Sequence, residues 1–93
     1  MVLLICIYML INSPSDIEVS DIFKINLYEY FIVTSIEDDE VNGIIRDKIY
    51  NVGQQDNETY NADLIVSRVN EDDGWSYWGN FSYDGKDING NPI

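Results

Sequence analysis

The sequence predicts an α+β fold: a small antiparallel β-sheet, ending in a C-terminal β-meander, with one or two helices packed on one face. Three observations predict it. The 93 residues suffice for one hydrophobic core and not for two, so residues 1–93 form a single acidic globular domain. Hydrophobic residues make up 45% of the chain and aromatic residues 13%, which is enough apolar surface to fold despite the charge. Asn-Gly and Asp-Gly pairs after residue 70 are typical of hairpin turns.

Residues 1–11, MVLLICIYMLI, predict a buried strand, because β-branched side chains recur within a short apolar run. The run is too short for a membrane-spanning helix, which takes about 20 residues. It also lacks the basic start and the A-x-A-like cleavage site that a secretory signal would place before Pro14. We therefore expect a cytoplasmic protein with no membrane partner. A secreted protein is the alternative if residues 1–11 are a signal.

A short helix and a second strand are expected next. Pro14 ends the first strand, and the serines beside it can cap a short helix through Ile17, Ile22 and Phe23. Residues 24–35, KINLYEYFIVTS, alternate in side-chain character and are rich in β-branched and aromatic residues. That pattern predicts a strand.

Residues 36–50 leave two structures open. A Thr-Ser pair at 34–35 can cap a helix, and the acids at 37–40 would lie at the positive end of its dipole. Apolar residues then recur at helical spacing: Val41, Ile44, Ile45 and Ile49. Gly43 weakens such a helix by about 1 kcal/mol relative to alanine. The competing interpretation is a hairpin that turns at Asn42 and Gly43.

The second half of the chain predicts a loop followed by strands. Residues 54–62 form a polar stretch typical of a loop, and residues 63–69, DLIVSRV, predict a strand. Residues 75–83, WSYWGNFSY, predict another strand. Turn signals at residues 84–85 and 89–90 then complete the C-terminal β-meander.

The two faces of the strand at residues 75–83 differ in character. Alternation directs four aromatic side chains to one face: Trp75, Tyr77, Phe81 and Tyr83. We expect that face to pack on a helix. Trp78 lies on the opposite face among serine and asparagine residues, and an exposed Trp with a polar rim is typical of an interface hot spot. Gly79 predicts a bulge or a close approach of the backbone.

Catalytic chemistry and cofactors are not expected. The chain has no histidine, the usual general base and metal ligand, and its one cysteine, Cys6, lies in an apolar run. The acidic runs lack the ligand spacing of a calcium loop, and Lys86 interrupts the best fragment. We therefore expect no enzyme activity, no cofactor and no metal.

Charge gives the clearest indication of a partner. Five basic residues against 17 acidic residues leave a net charge of −12. Such a charge repels phosphates and anionic lipids, so direct nucleic-acid binding is disfavoured. It attracts cationic proteins and speeds their encounter by roughly 10- to 1,000-fold. The expected partner is a basic nucleic-acid-binding protein.

These observations predict a non-enzymatic, DNA-mimic-like inhibitor that blocks a basic nuclease, a glycosylase or a phage-defence effector such as a CRISPR complex. The expected partner-binding residues are acidic side chains and one tryptophan: Glu37, Asp38, Asp39, Glu40, Glu71, Asp72, Asp73, Trp78, Asp84 and Asp87. Whether the acidic clusters share one face depends on the structure at residues 36–50.

Three alternatives stay open. An immunity protein that neutralises a basic toxin nuclease needs the same acidic surface. A carbohydrate-binding module would stack sugar rings on Trp75, Tyr77 or Trp78. An assembly subunit would pair its apolar N-terminal strand with the sheet edge of another chain. The sequence leaves the oligomeric state open.

Overall fold

A computed structural model of the chain describes residues 11–47, 56–71 and 74–81. These residues form five antiparallel strands and one α-helix, preceded by a short 3-10 helix at Pro14–Asp16. The elements in chain order are β1 (Asp21–Lys24), β2 (Tyr30–Glu37), β3 (Glu40–Arg46), β4 (Asp56–Asn61), α1 (Ala62–Val69) and β5 (Ser76–Asn80). The predicted first strand at residues 1–11 lies outside the described residues, apart from the buried Ile11.

The sheet has the strand order β4-β3-β2-β1-β5. Strands β1 to β4 are therefore neighbours in chain order, and β5 returns to pair with β1 at the opposite edge. One helix packs against this sheet, so the predicted α+β class with a small antiparallel sheet is confirmed. Beyond β5, the predicted C-terminal β-meander falls outside the described residues.

The predicted helix through Ile17, Ile22 and Phe23 is wrong. Its only helical part is the 3-10 helix, where the Asp16 carboxylate accepts the backbone N–H of Ser13 at 3.0 Å. Ile22 and Phe23 lie in β1 instead, with side chains on opposite faces of the sheet. A strand buried on both faces has apolar neighbours in sequence, which resembles a helical pattern over so short a stretch. The strand predicted at 24–35 is divided, because residues 25–29 connect β1 to β2.

At residues 36–46 the hairpin interpretation is correct and the helix is wrong. The chain turns at Asp38 and Asp39, however, and not at Asn42 and Gly43. Asp38 has a φ of 51°, a left-handed conformation that aspartate tolerates better than most residues. Residues 47–50 of this prediction lie largely outside the described part of the chain.

The predicted loop and strand at residues 54–69 are also wrong, because β4 and α1 occupy residues 56–69. Asn61 is the N-cap of α1, and its side-chain oxygen accepts the N–H of Asp63 at 2.8 Å. Ala62 and Ile65 are buried, and Val66 and Val69 pack beside them, which is helical spacing. This periodicity was present in the sequence but was obscured by the high strand propensity of isoleucine and valine.

Apolar residues are buried on both faces of the sheet. The helix-side core contains Ile11, Ile17, Phe23, Phe31, Val33, Val41, Ala62 and Ile65. The outer core contains Ile22, Ile32, Ile44 and Phe81. Trp75 and Tyr77 pack against the helix-side core as predicted, whereas Phe81 belongs to the outer core, contrary to prediction. Tyr83 lies outside the described residues.

A bulge at Gly79 explains the change of face at Phe81. The pairing of β5 with β1 shifts register between Ile22, opposite Gly79, and Phe23, opposite Tyr77. The extra residue, Trp78, reverses the alternation that follows it. The predicted bulge at Gly79 is therefore confirmed.

Replacing Gly79 by alanine should destabilise the protein by about 1–3 kcal/mol. Gly79 has a φ of +126°, which L side chains rarely adopt, while a Cβ there would have no heavy atom within 4 Å. The cost is therefore one of backbone conformation alone. Urea unfolding at neutral pH measures it, and a change in unfolding free energy below about 0.5 kcal/mol would show that the bulge relaxes freely.

Candidate protein-binding surface

Four of the predicted acidic residues form the turn between β2 and β3, which we call the acidic turn: Glu37, Asp38, Asp39 and Glu40. All four are exposed. Glu37 and Glu40 are direct cross-strand partners, so two like charges face each other where the hairpin closes. With Asn61 these residues line a shallow polar concavity.

Backbone contacts hold the acidic turn against the helix. The N–H of Ala62, the first residue of α1, donates to the carbonyl oxygen of Asp39 at 2.7 Å. Glu40 also pairs with Asn61 at the end of β4. The turn is therefore supported by two neighbouring elements, and its carboxylates project from a defined backbone.

Further carboxylates continue this surface along β4. Asp56 and Glu58 are exposed on β4, and Asp63 is exposed in the first turn of α1. Within residues 11–47, 56–71 and 74–81, no basic side chain forms an ion pair with any member of the acidic turn. Exposed carboxylates therefore lie at the acidic turn, at the start of α1 and along β4 as far as Asp56, opposite Ile45.

The second predicted acidic cluster lies elsewhere. Glu71 follows the C-terminal end of α1 and forms an ion pair with Arg68, with 3.3 Å between Glu71 Oε1 and Arg68 Nη1. Both side chains are about half exposed. The helix separates Glu71 from the acidic turn by about 12 Å, at 1.5 Å per residue. The other predicted acids, Asp72, Asp73, Asp84 and Asp87, lie outside the described residues. The structure therefore does not bring Glu71 together with the acidic turn.

Trp78 is 51% exposed and lies on the outer face, as predicted. Its ring meets Tyr30 edge-on, with 5.4 Å between centroids, and the Nζ of Lys24 lies 5.2 Å from the Trp78 ring centroid. The sequence did not indicate this group, because Lys24 and Tyr30 reach Trp78 only through the pairing of β1 with β2 and β5.

Trp78 and the acidic turn lie at different ends of the sheet. Tyr30 and Glu37 are at opposite ends of β2, which places them about 24 Å apart at roughly 3.4 Å per residue. Near Trp78, the loop between β1 and β2 exposes 78% of Leu27 and 76% of Tyr28, two residues that the sequence analysis missed. The molecule thus has an acidic end and an aromatic end.

Trp75 and Tyr77 are half-buried and pack against the helix-side core. Trp75 packs against Phe23, Phe31 and Tyr60, with ring centroids 6.4, 6.3 and 4.9 Å away. Tyr77 packs on Phe23 at 5.6 Å. These side chains supply the helix-side core, so two of the three residues proposed for carbohydrate stacking have another role.

A buried carboxylate, Asp21, joins β1 to β5. Its Oδ1 accepts hydrogen bonds from Asn80 Nδ2 at 2.7 Å and from the Tyr77 hydroxyl at 3.0 Å. Its Oδ2 accepts the N–H of Glu18 at 2.8 Å. Burial raises the pKa of Asp21 above its usual value, while these hydrogen bonds oppose the shift. All three donors belong to the protein framework, so Asp21 is a structural residue.

The raised pKa of Asp21 predicts a pH-dependent contribution to stability. Because the folded protein favours the protonated carboxyl, this contribution is fully present below the unfolded pKa, near 3.9, and is lost as pH rises through the folded pKa. Replacing Asp21 by asparagine removes this titration. We therefore expect the destabilisation caused by Asp21→Asn to be largest in acid and to shrink toward neutral pH. Urea unfolding of both proteins across this range tests it, and a constant difference would contradict it.

The described ranges show neither a metal-binding group nor a membrane-spanning helix. They contain no group of three or more Cys, Asp or Glu side chains arranged to hold a metal ion. No helix in this part of the chain is long and apolar enough to cross a membrane. Comparisons with protein-family models, curated proteins and solved structures find no match to the chain.

Proposed function

We propose that this protein is a non-enzymatic inhibitor that uses the acidic turn to bind a basic nucleic-acid-handling protein, such as a nuclease, a glycosylase or a phage-defence effector. The observation that carries the proposal is the presentation of four exposed carboxylates on one backbone-supported turn, in a chain of net charge −12. A surface that concentrates like charge destabilises the compact state through self-repulsion, and an attractive partner compensates for that cost.

The position of the acidic turn suits a DNA mimic. A hairpin that extends from the end of a sheet can enter a basic groove, and its carboxylates can occupy sites that otherwise bind phosphates. The surrounding negative charge would steer the encounter, so association should be fast and strongly dependent on salt. Because the target handles nucleic acid, we expect the inhibitor to act in the cytoplasm.

Trp78 remains a predicted contact with the partner protein. It lies too far from the acidic turn for the two to form one small patch. About 24 Å of sheet separates the two ends, and Lys24 adds a positive charge beside the Trp78 ring. A basic partner is therefore attracted more strongly to the acidic end than to the aromatic end.

Affinity capture from a lysate of the source organism tests the proposal. The unmodified protein should retain a basic nucleic-acid-handling protein that excess duplex DNA releases. The matched bait is the variant Glu37→Lys/Asp39→Lys, which should not retain it. A partner that stays bound in excess DNA would favour immunity-type neutralisation over mimicry. Equal capture by both baits would contradict a role for the acidic turn.

A further inference from the structure

We propose that the outer edge of β4 is a docking site for an extended, basic segment of the partner protein, which adds a sixth strand to the sheet beside Asp56–Asn61. This inference rests on the proposed function for the nature of the partner. It adds a specific mode of binding and a sequence pattern that the bound segment should have.

Among the described residues, no strand covers the outer edge of β4. In the part of the chain that the structure describes, β4 pairs with β3 and with no other strand. Five of its six residues are exposed and only Tyr60 is half-buried. Its pairing with β3 has no bulge, whereas bulges interrupt the pairing of β2 with β3 and of β1 with β5. A regular exposed edge without proline is a template for another strand.

The hydrogen bonds show which backbone groups point outward. The Thr34 hydroxyl donates to the carbonyl oxygen of Asn42 at 3.2 Å, so the backbone groups of Asn42 point toward β2. Asn42 and Thr59 therefore form a pair that is not hydrogen-bonded through the backbone, and the N–H and C=O of Thr59 point away from β3.

A second contact supports the same orientation. The N–H of Thr59 points to the Glu58 carboxylate at 3.4 Å, which is a long hydrogen bond to its own neighbour. Alternation along the strand directs the backbone groups of Asn57 outward as well. An added strand would find two donor and acceptor pairs at Thr59 and Asn57.

Charge decides which segment fits this edge. Asp56 and Glu58 share the helix-side face of β4 with Tyr60, since they lie opposite Ile45, Gly43 and Val41 respectively. Asn57, Thr59 and Asn61 lie on the other face and carry no charge. Opposite charges on neighbouring strands stabilise the pair. The bound segment should therefore carry lysine or arginine at alternate positions on its helix-side face.

The same charges disfavour a second copy of this chain as the occupant. Two β4 strands placed side by side would bring Asp56 and Glu58 against their own counterparts, within two molecules that each carry a net charge of −12. Like charges directly opposite each other destabilise strand pairing. A basic strand would instead place opposite charges beside Asp56 and Glu58, and it would not add a second net charge of −12.

The test uses the full chain and a short capped peptide in which lysine alternates with threonine and valine. The control peptide has the same composition with its lysines in one block. Thr59→Pro removes the outward N–H, and an edge strand accepts proline at such a position. Thr59→Val is the matched variant, because it also loses the hydroxyl bond to Asn42 Oδ1 at 2.7 Å but keeps the N–H.

We expect Thr59→Pro to weaken binding of the alternating peptide by about tenfold relative to Thr59→Val. In the unmodified protein, the peptide should slow hydrogen exchange at the amides of Thr59 and Asn57, a readout that does not depend on whether Thr59→Pro folds. Equal binding of the two peptides, or no protection at these amides, would overturn the proposal. If these amides become protected from hydrogen exchange as the protein concentration rises in the absence of peptide, the proposal is also overturned. A second copy of the chain would then occupy the edge.

The outcomes separate this inference from the proposed function. If the captured partner binds Thr59→Pro but does not bind Glu37→Lys/Asp39→Lys, the proposed function is supported. Docking at the edge of β4 is then contradicted. Binding of the alternating peptide without any captured basic protein would support the edge and contradict the function.

Discussion

Replacing Gly43 by alanine should destabilise the protein by about 3 kcal/mol, a large part of the roughly 5–15 kcal/mol that stabilises a domain. A Cβ at position 43 would meet the carbonyl oxygen of Ile32, and it would lie 2.6 and 2.7 Å from the Cε1 and Cζ atoms of Phe31. Neither neighbour can yield easily. Ile32 belongs to the central strand β2, and Phe31 is fully buried with its ring edge-on to Tyr60 at 4.9 Å.

Urea unfolding measures this effect, and a double-mutant cycle with Phe31→Leu identifies its origin. A smaller side chain at position 31 removes the ring contact and leaves the backbone contact, so the added cost of Gly43→Ala should fall in that background. Gly79→Ala is the useful comparison, because its cost is conformational and should not depend on the residue at position 31. Full additivity between Gly43→Ala and Phe31→Leu would contradict the assigned clash with the Phe31 ring.

Gly43 also shows how the sequence misled the prediction at residues 36–50. Val41, Ile44 and Ile45 have helical spacing, but they are buried on two faces of β3, and Gly43 provides the space that the Phe31 ring occupies. A strand buried on both faces loses the period-two pattern from which strands are recognised. The chain reverses instead at Asp38, which adopts a left-handed conformation without the glycine that usually marks such a turn.

The parts of the surface that were predicted correctly depend on local sequence. The exposure of Trp78 was predicted from alternation within one segment, and the bulge was predicted from the glycine at position 79. The exposure of residues 37–40 was expected from a run of charge that cannot be buried, whereas the turn at Asp38 and Asp39 was not predicted. The features that were missed depend on register between distant segments. Lys24 lies over the rings of Tyr30 and Trp78, and Asp21 accepts hydrogen bonds from Asn80 and Tyr77, only because β1 lies between β2 and β5.

Reversing two charges in the acidic turn should reduce affinity for the basic partner by at least about tenfold at low salt, because steering by such a field raises association rates by roughly 10- to 1,000-fold. The variant is Glu37→Lys/Asp39→Lys, which changes the net charge from −12 to −8. Asp38 is left unchanged because its φ of 51° would strain most other residues. Lysine at position 37 would also lie directly opposite Glu40 on β3. This pair of opposite charges should stabilise the hairpin.

The matched control is Glu29→Lys/Asp47→Lys, which changes the net charge by the same amount at the other end of the β2–β3 hairpin. Glu29 lies in the loop before β2, and Asp47 follows β3 directly, so both lie at the end of these strands opposite the acidic turn. If the acidic turn is the docking site, the control should retain most of the affinity, and the difference between the two variants should fade as salt screens charges beyond about 10 Å at 0.1 M. Equal losses in the two variants would mean that the partner responds to the total charge of the protein, and the specific role of the acidic turn would then be wrong.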